Sequence, residues 1–150
     1  MDNNFQRKGS ISNAHVGHDF ELAAKIFFEK NGISLHKNLK VMVGVSDVKK
    51  AHRFDLGCSD LKILVECKSH RWTTGNNVPS AKLTVWNEAM LYFSAAPHDY
   101  RKIMFVLKDE RYNSRVTLAQ YYINRYQHLI PVGVEFWEYD ELTMEAVQIY

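Results

Sequence analysis

A short stretch of the chain, residues 53–68, concentrates the side chains best suited to chemistry. It begins with Arg-Phe-Asp-Leu-Gly and ends with Ile-Leu-Val-Glu-Cys-Lys, and both pieces have the composition of short strands. Asp55 lies near the end of the first strand, and Glu66 and Lys68 lie near the end of the second. Because side chains alternate between the two faces of a strand, Glu66 and Lys68 should point the same way and Cys67 the opposite way. Two carboxylates and an ammonium at strand ends are suited to a Mg²⁺ site with an adjacent cation.

Such a site could hydrolyse phosphodiester bonds. The reaction must stabilise extra negative charge at phosphorus and supply a deprotonated water, and a metal held by carboxylates helps with both. Mg²⁺ prefers oxygen ligands and keeps several waters while it binds one or two carboxylates. Asp55 and Glu66 are the natural ligand pair, with the backbone carbonyl of Cys67 as a third oxygen. Lys68 could orient the attacking water or stabilise the developing charge.

A helix is predicted before this stretch, from about residue 17 to residue 31. Its buried stripe has the helical spacing i, i+3, i+4, i+7, and Asn31-Gly32 supplies a stop signal. The residues of the stripe are Phe20, Ala23, Ala24 and Phe27. Glu21 lies beside the stripe and could reach the site, either as a second-shell carboxylate or at a second metal position. The alternative is a solvated residue paired with Lys25 at i+4.

The remaining elements are predicted from hydrophobic patterning. They are strands at 39–45, 54–56 and 62–68, a polar turn at 46–51, a helix from about 79 to 94, a strand at 102–108, a helix from 117 to about 128, a strand at 132–139 and a possible short element in 142–150. Short connections between the first three strands favour an antiparallel meander. The apolar run at 102–108 is typical of a strand covered on both faces. The second helix should bury four residues, Leu83, Trp86, Met90 and Phe93.

A long loop at residues 69–80 follows the Glu-x-Lys motif and could contact a substrate, since long loops beside a site are often functional. Arg71 would bind phosphate and Trp72 could stack or wedge between bases, with His70 beside them. Trp72 could instead belong to the core. Lys82, near the start of the next helix, could face a phosphate or be a solvated lysine in a first turn.

Composition is that of an ordinary globular protein. The 150 residues suit one domain, with 46% hydrophobic and 24% charged residues, a formal charge of +2 and a pI near 8.5. This mildly basic balance permits a nucleic-acid partner without requiring one. Cys58 and Cys67 are too few for a disulfide framework and lack zinc-ligand spacing. No apolar run is long enough to span a membrane, and the first residues lack a signal-peptide core, so we expect a cytoplasmic protein.

With its order of elements, the motif resembles the PD-(D/E)XK nuclease superfamily, as a small single-domain bacterial or phage-type member. The resemblance covers about residues 17–140 and rests on four residues, Glu21, Asp55, Glu66 and Lys68. The sequence departs from the motif where Phe54, not proline, precedes Asp55. The resemblance implies an α/β fold with a restriction-endonuclease-like αβββαβαβ core, in which helices flank a central mixed sheet. Residues 17–150 would form this domain after a flexible arm at 1–16.

The same resemblance implies a Mg²⁺-dependent DNA endonuclease, with Mn²⁺ able to substitute. Glu21, Asp55, Glu66 and Lys68 would be the catalytic residues. Because one domain carries one site and a duplex has two strands, a homodimer or higher oligomer acting on double-stranded DNA is expected. Restriction, homing, repair and defence would all suit such a protein. The alternatives are a non-catalytic nucleic-acid-binding or assembly module on this fold, and a structural domain whose charges are incidental.

Overall fold

The computed structural model describes residues 13–150, with side chains described from Gly17 onward. Three helices cover the two faces of a six-stranded mixed sheet. The elements are α1 (Asn13–Lys30), β1 (His36–Val43), β2 (Lys50–Cys58), β3 (Ile63–Lys68), α2 (Ser80–Ala95), β4 (Arg101–Leu107), α3 (Leu118–Tyr126), a 3-10 turn (Gln127–Leu129), β5 (Val134–Asp140) and β6 (Glu145–Gln148). The predicted order of helices and strands is confirmed, and the tail adds β6.

The sheet has the strand order β1-β2-β3-β4-β5-β6. β1, β2 and β3 form the antiparallel meander that the short connections predicted. β3, β4 and β5 are parallel neighbours, and β6 returns antiparallel to β5. Parallel neighbours need a crossover connection, and α2 and α3 supply the two crossovers. The general α/β class is therefore confirmed, with a mixed sheet between helices.

The core under α1 is centred on Phe105 of β4. Three α1 rings surround it, with centroid distances of 5.7 Å to Phe20, 5.6 Å to Phe27 and 5.5 Å to Phe28. Ala24 is fully buried in the same layer. The predicted helical stripe therefore faces the sheet and fixes α1 against it.

The core on the other face lies between the sheet, α2 and α3. The four α2 residues predicted to be buried are at most 2% exposed, and Phe93 stacks on Phe54 of β2 at 5.7 Å. The strand predicted at 102–108 is β4, whose side chains are buried from Lys102 to Leu107. A strand between two helical layers has no solvated face, which explains its continuous apolar pattern.

Several boundaries differ from the predictions. The strand predicted at 39–45 is β1 at His36–Val43, and the strand predicted at 54–56 is β2 at Lys50–Cys58. β2 begins at Lys50, so the predicted polar turn at 46–51 was wrong over its last two residues. Residues 50–53 are polar because their outer face is exposed, while pairing with β1 makes them a strand. α1 begins at Asn13, so residues 13–16 of the predicted arm are helical, whereas residues 1–12 lie outside the described residues. Within residues 13–150, no helix is both long and apolar enough to cross a membrane.

Candidate active site

The candidate site lies where β2 and β3 stop pairing. Their ladder runs from Cys58↔Ile63 to Leu56↔Val65 and ends there. β3 continues beside β4 as far as Lys68↔Val106. Asp55 and Glu66, the next residues of the β2–β3 register, therefore stand on either side of a gap in the sheet.

Asp55 closes part of this gap with its side chain. Its Oδ2 accepts a hydrogen bond from the backbone N–H of Cys67 at 2.8 Å. The carboxylate thereby satisfies an N–H of β3 just beyond the last ladder pair, where an unpaired backbone donor would be costly. The Cys67 thiol points away into the core under α1, as strand alternation predicted.

The alternation of side chains between the two faces of β2 is interrupted at Asp55. Phe54 lies in the core under α2 and Leu56 in the core under α1, although residues two apart on a regular strand share a face. The β1–β2 register skips Asp55, and Asn38, which would lie opposite it, has a positive φ of 57°. Asp55 is therefore half-buried between the two layers and faces the gap rather than either core.

Glu66 is a nearly buried carboxylate, 7% exposed, with a lysine and a histidine as neighbours. Its Oε2 lies 3.3 Å from Lys68 Nζ, and its Oε1 lies 3.9 Å from His52 Nε2. Burial raises the pKa of Glu66 to about 7, with further contributions from the Asp55 charge and from hydrogen bonding between the two carboxyl groups, against the opposing effect of Lys68. The predicted pair of carboxylates is thus brought together, with the predicted lysine beside them.

Glu21 reaches the same region from α1. Burial, and then the nearby charge of Asp55, raise the pKa of Glu21, while Lys37 and Lys68 lower it. The predicted alternative partner, Lys25, instead forms an ion pair with Glu29 at 2.5 Å. The structure therefore favours the interpretation of Glu21 as a residue facing the site.

His52 is a neighbour of the site that the sequence did not indicate. Its ring stacks on Tyr92 of α2, with centroids 3.6 Å apart and planes inclined by 10°. Burial lowers the pKa of His52, and the charges of Asp55 and Glu88 oppose that shift. Its stacking partner lies forty positions away in the chain, so no local pattern could have identified it.

A cleft of about 390 Å³ opens beside Lys68. His70 and Lys82 line it, together with Arg71 and the Cys67 backbone region. Trp86, which is fully buried, donates its indole N–H to His70 Nδ1 at 2.7 Å. Burial, with help from Lys68 and Lys82, lowers the pKa of His70 to about 4, which keeps the ring neutral and able to accept.

Trp72 and Arg71 are both engaged within the protein. Trp72 is 8% exposed, and its ring meets Tyr121 edge-on at 5.4 Å. Asp109 accepts its backbone N–H at 2.7 Å and its indole N–H at 3.0 Å. The predicted stacking on bases is therefore replaced by the packing alternative, because a buried indole cannot present its face to a ligand. Arg71 pairs with Asp109 at 3.4 Å and Glu141 at 2.6 Å, so its charge is compensated, although it still borders the cleft.

The donor chemistry of the site fits Mg²⁺. Among residues 13–150, no group of three or more His, Cys, Asp or Glu side chains has the arrangement of a ready-made metal site. Mg²⁺ does not require one, because it retains several waters and binds through one or two carboxylates. Asp55 and Glu66 offer oxygen atoms only, and a divalent cation would relieve the crowding of their charges. A role for the Cys67 carbonyl as a further ligand stays a prediction.

Comparison with known proteins identified no relative. No protein-family model matches the sequence, no curated protein matches it, and no solved structure matches the fold. Any functional inference therefore depends on the residues and geometry described above.

Proposed function

We propose that the chain is a Mg²⁺-dependent DNA endonuclease with a restriction-endonuclease-like αβββαβαβ core. The observation that carries the proposal is the position of Glu66, a nearly buried carboxylate held beside Asp55 at the gap in the sheet, with Lys68 Nζ 3.3 Å away. Carboxylates with strongly shifted pKa values are concentrated at functional sites.

Keeping Glu66 ionised in this position is costly for the folded protein. Its pKa rises from 4.5 to about 7. The raised pKa means that burial destabilises the charged form of Glu66 relative to its protonated form. A hydrophobic or amide side chain would avoid this cost at the same place in the fold. We interpret the retained carboxylate as a ligand for a cation.

The side chains of the site have separate roles in this proposal. Asp55 and Glu66 would hold the metal, and the Cys67 N–H fixes the orientation of the Asp55 carboxylate. The bound metal would lower the pKa of a coordinated water and neutralise charge on the phosphate. Lys68, positioned by its contact with Glu66, would donate to a phosphate oxygen or to the attacking water. Glu21 would act in the second shell or at a second metal position.

The substrate contacts follow from the cleft beside Lys68. Lys82 is exposed on its wall and is available for a phosphate, whereas Arg71 would first have to leave its carboxylate partners. Because each chain carries one such site, cutting both strands of a duplex would require a homodimer, a higher oligomer or successive events. We expect the protein to act in the cytoplasm, in restriction, homing, repair or defence.

Cleavage assays with supercoiled, linear and branched DNA, each with Mg²⁺ or Mn²⁺, test the proposal. Cleavage should require metal and should be lost in Glu66→Ala and in Lys68→Ala, because each change removes one component of the site. Glu29→Gln, an exposed carboxylate on α1, is the matched control and should cut normally. Activity that survives Glu66→Ala would refute the site assignment. DNA binding without cleavage on any substrate would favour a non-catalytic binding module.

A further inference from the structure

The hairpin formed by β1 and β2 has an excess of positive charge. Residues 36–58 contain five lysines and arginines and two carboxylates, a net charge of +3, while the whole chain is +2. The remainder of the chain is therefore net −1. Such a concentration of positive charge on one hairpin is expected of a surface that binds a polyanion.

Among the residues that the structure describes, those that pack on this hairpin cover one face of it. Val43 and Phe54 are buried on the α2 side, and the N–H of Gly44 donates to the carbonyl of Ala95 at 2.9 Å. The opposite face, which we call the hairpin face, is exposed and lies beyond the end of the core under α1. Its residues are Lys40, Met42, Ala51 and Arg53.

Two like charges stand directly opposite each other on the hairpin face. Lys40 and Arg53 are cross-strand partners in the β1–β2 register. Cross-strand partners have Cβ atoms ~5 Å apart, and like charges there are destabilising. Among the described residues, neither side chain has a carboxylate within ion-pair distance. The repulsion between the two side chains therefore destabilises the folded protein, and an external anion bound to both would remove it.

Protection of a sheet edge accounts for part of this charge. Lysines on edge strands prevent unwanted pairing with other chains, and Lys40 on β1 could serve that purpose. Arg53 lies on the part of β2 that pairs with β1 alone, because the β2–β3 ladder covers only Leu56–Cys58. Edge protection does not require two like charges directly opposite each other on one face, as Lys40 and Arg53 are.

We propose that the hairpin face holds the phosphate backbone of the DNA duplex that is cut at Asp55 and Glu66, an inference that rests on the proposed function. Arg53 lies two residues before Asp55 on the same strand. From Ala51, the other β2 residue of the hairpin face, to Asp55 the strand extends about 13 Å at ~3.3 Å per residue, the length of about four base pairs. The hairpin would thus contact the duplex to one side of the cleavage site. Such contacts with the phosphate backbone position the duplex and do not recognise its base sequence.

Fluorescence anisotropy with a short labelled duplex tests this surface in EDTA, where no metal-dependent cleavage occurs. The Lys40→Gln/Arg53→Gln variant should bind about tenfold or more weakly at ~0.1 M salt, because two phosphate contacts are lost. The slope of log affinity against log salt should fall in magnitude by about two. Arg53→Lys, which keeps the charge, should retain most of the binding in an otherwise unchanged chain.

A control variant removes the same charge elsewhere. Lys30 and Arg125 are exposed, in the last turns of α1 and α3, and Lys30→Gln/Arg125→Gln should bind as the wild type does. Equal weakening in both double variants, or normal binding by the hairpin variant, would overturn the proposal. So would tighter binding of the wild type to phosphatidylserine vesicles than to DNA, if the hairpin variant abolished it. Unchanged circular dichroism and thermal unfolding confirm that the variants fold.

The two proposals fail in different ways. If the hairpin variant loses DNA binding while the wild type cuts no substrate, the proposed DNA-binding surface is supported and the nuclease assignment is refuted. If the hairpin variant binds normally while cleavage depends on Glu66, the nuclease stands and the surface falls.

Discussion

The Asp55 carboxylate accepts the backbone N–H of Cys67 at 2.8 Å, just beyond the last paired residues of β2 and β3. A side chain thus replaces the strand as the hydrogen-bond acceptor at the point where the sheet opens. The same contact stabilises the divided sheet and orients a carboxylate toward the gap. Substitutions at Asp55 can separate these two roles.

Asp55→Ala should both unfold more easily and lose cleavage. It leaves the Cys67 N–H without its acceptor, which costs about 1–3 kcal/mol. Asp55→Asn keeps a carbonyl oxygen for that N–H and should retain most of the stability, while losing cleavage because an amide is a poorer ligand for Mg²⁺. Urea unfolding in EDTA and the DNA cleavage assay measure the two effects. Asp60→Asn, in the exposed β2–β3 turn, is the control; equal stability of Asp55→Ala and wild type would refute the role of the hydrogen bond.

Glu66→Gln should make the metal-free protein more stable while abolishing cleavage. The amide has nearly the shape of the carboxylate and removes the burial penalty that raises the pKa of Glu66 to about 7. At pH 8, where this carboxyl group is mostly ionised, we expect a gain of about 1 kcal/mol in the free energy of unfolding, because loss of the contact with Lys68 offsets part of the relieved burial penalty. Urea unfolding at pH 8 in EDTA measures it. Glu29→Gln, which breaks an exposed ion pair, is the control and should lose about 0.5 kcal/mol or less of the free energy of unfolding. A Glu66→Gln protein that is less stable than the wild type would show that the Glu66 carboxylate has a structural role.

His70 should make the protein less stable as the pH falls from about 6.5 to about 4. In the folded chain, burial lowers the pKa of His70 to about 4 from the ordinary 6.5. Between these values the unfolded chain binds more protons than the folded chain, so the free energy of unfolding decreases with falling pH, and above pH 6.5 the ring contributes no slope. Protonation also removes the acceptor of the Trp86 indole N–H.

His70→Gln should therefore show a shallower loss of stability across this window, although it is less stable at neutral pH. Urea unfolding of wild type and variant at several pH values gives the difference between their free energies of unfolding. The pH dependence that comes from the carboxylates is common to both proteins and cancels in this difference. The exposed His98→Gln variant is the control for the loss of a histidine away from Trp86. Parallel pH profiles for His70→Gln and wild type would contradict the prediction.

Gly44→Ala should destabilise the β1–β2 hairpin. A Cβ at Gly44 would lie 2.2 Å from the carbonyl oxygen of Val48, so the turn would have to shift. The shift would disturb the hydrogen bond from Gly44 N–H to Ala95 and should cost about 1–3 kcal/mol. In Gly17→Ala the new methyl group meets no atom of the described residues within 4 Å beyond the backbone of its own helix, and in a helix the change should gain about 0.5–1 kcal/mol. Thermal unfolding compares the two, and opposite shifts in Tm are expected.

Much of the fold could be predicted because its elements have strong local patterns. Hydrophobic periodicity reports directly how many sides of an element are buried. The stripe of Phe20, Ala24 and Phe27 indicates one buried side of α1, and the apolar run of β4 indicates two. β2 was only partly predicted, since its first residues have a covered and an exposed face and a polar sequence. Its status as a strand from Lys50 depends on pairing with β1, which the local sequence does not show.

The candidate site was predictable to a similar degree. Glu66 and Lys68 share a strand, so alternation alone puts them on one side. The placement of Asp55 toward them depends on the reversal of faces between Phe54 and Leu56, which strand alternation would not predict. His52 depends on stacking with a helix distant in sequence.

By itself, the sequence determined the order of the helices and strands, and that Glu66 and Lys68 lie side by side, because these depend on neighbours within a few residues. The tertiary structure alone decided where β2 leaves β3 and that Trp72 is core. It also decided that Arg71 is paired with carboxylates and that Lys40 faces Arg53. Each of these depends on contacts between segments distant in the chain, whose charges and packing surfaces meet only when the sheet is assembled.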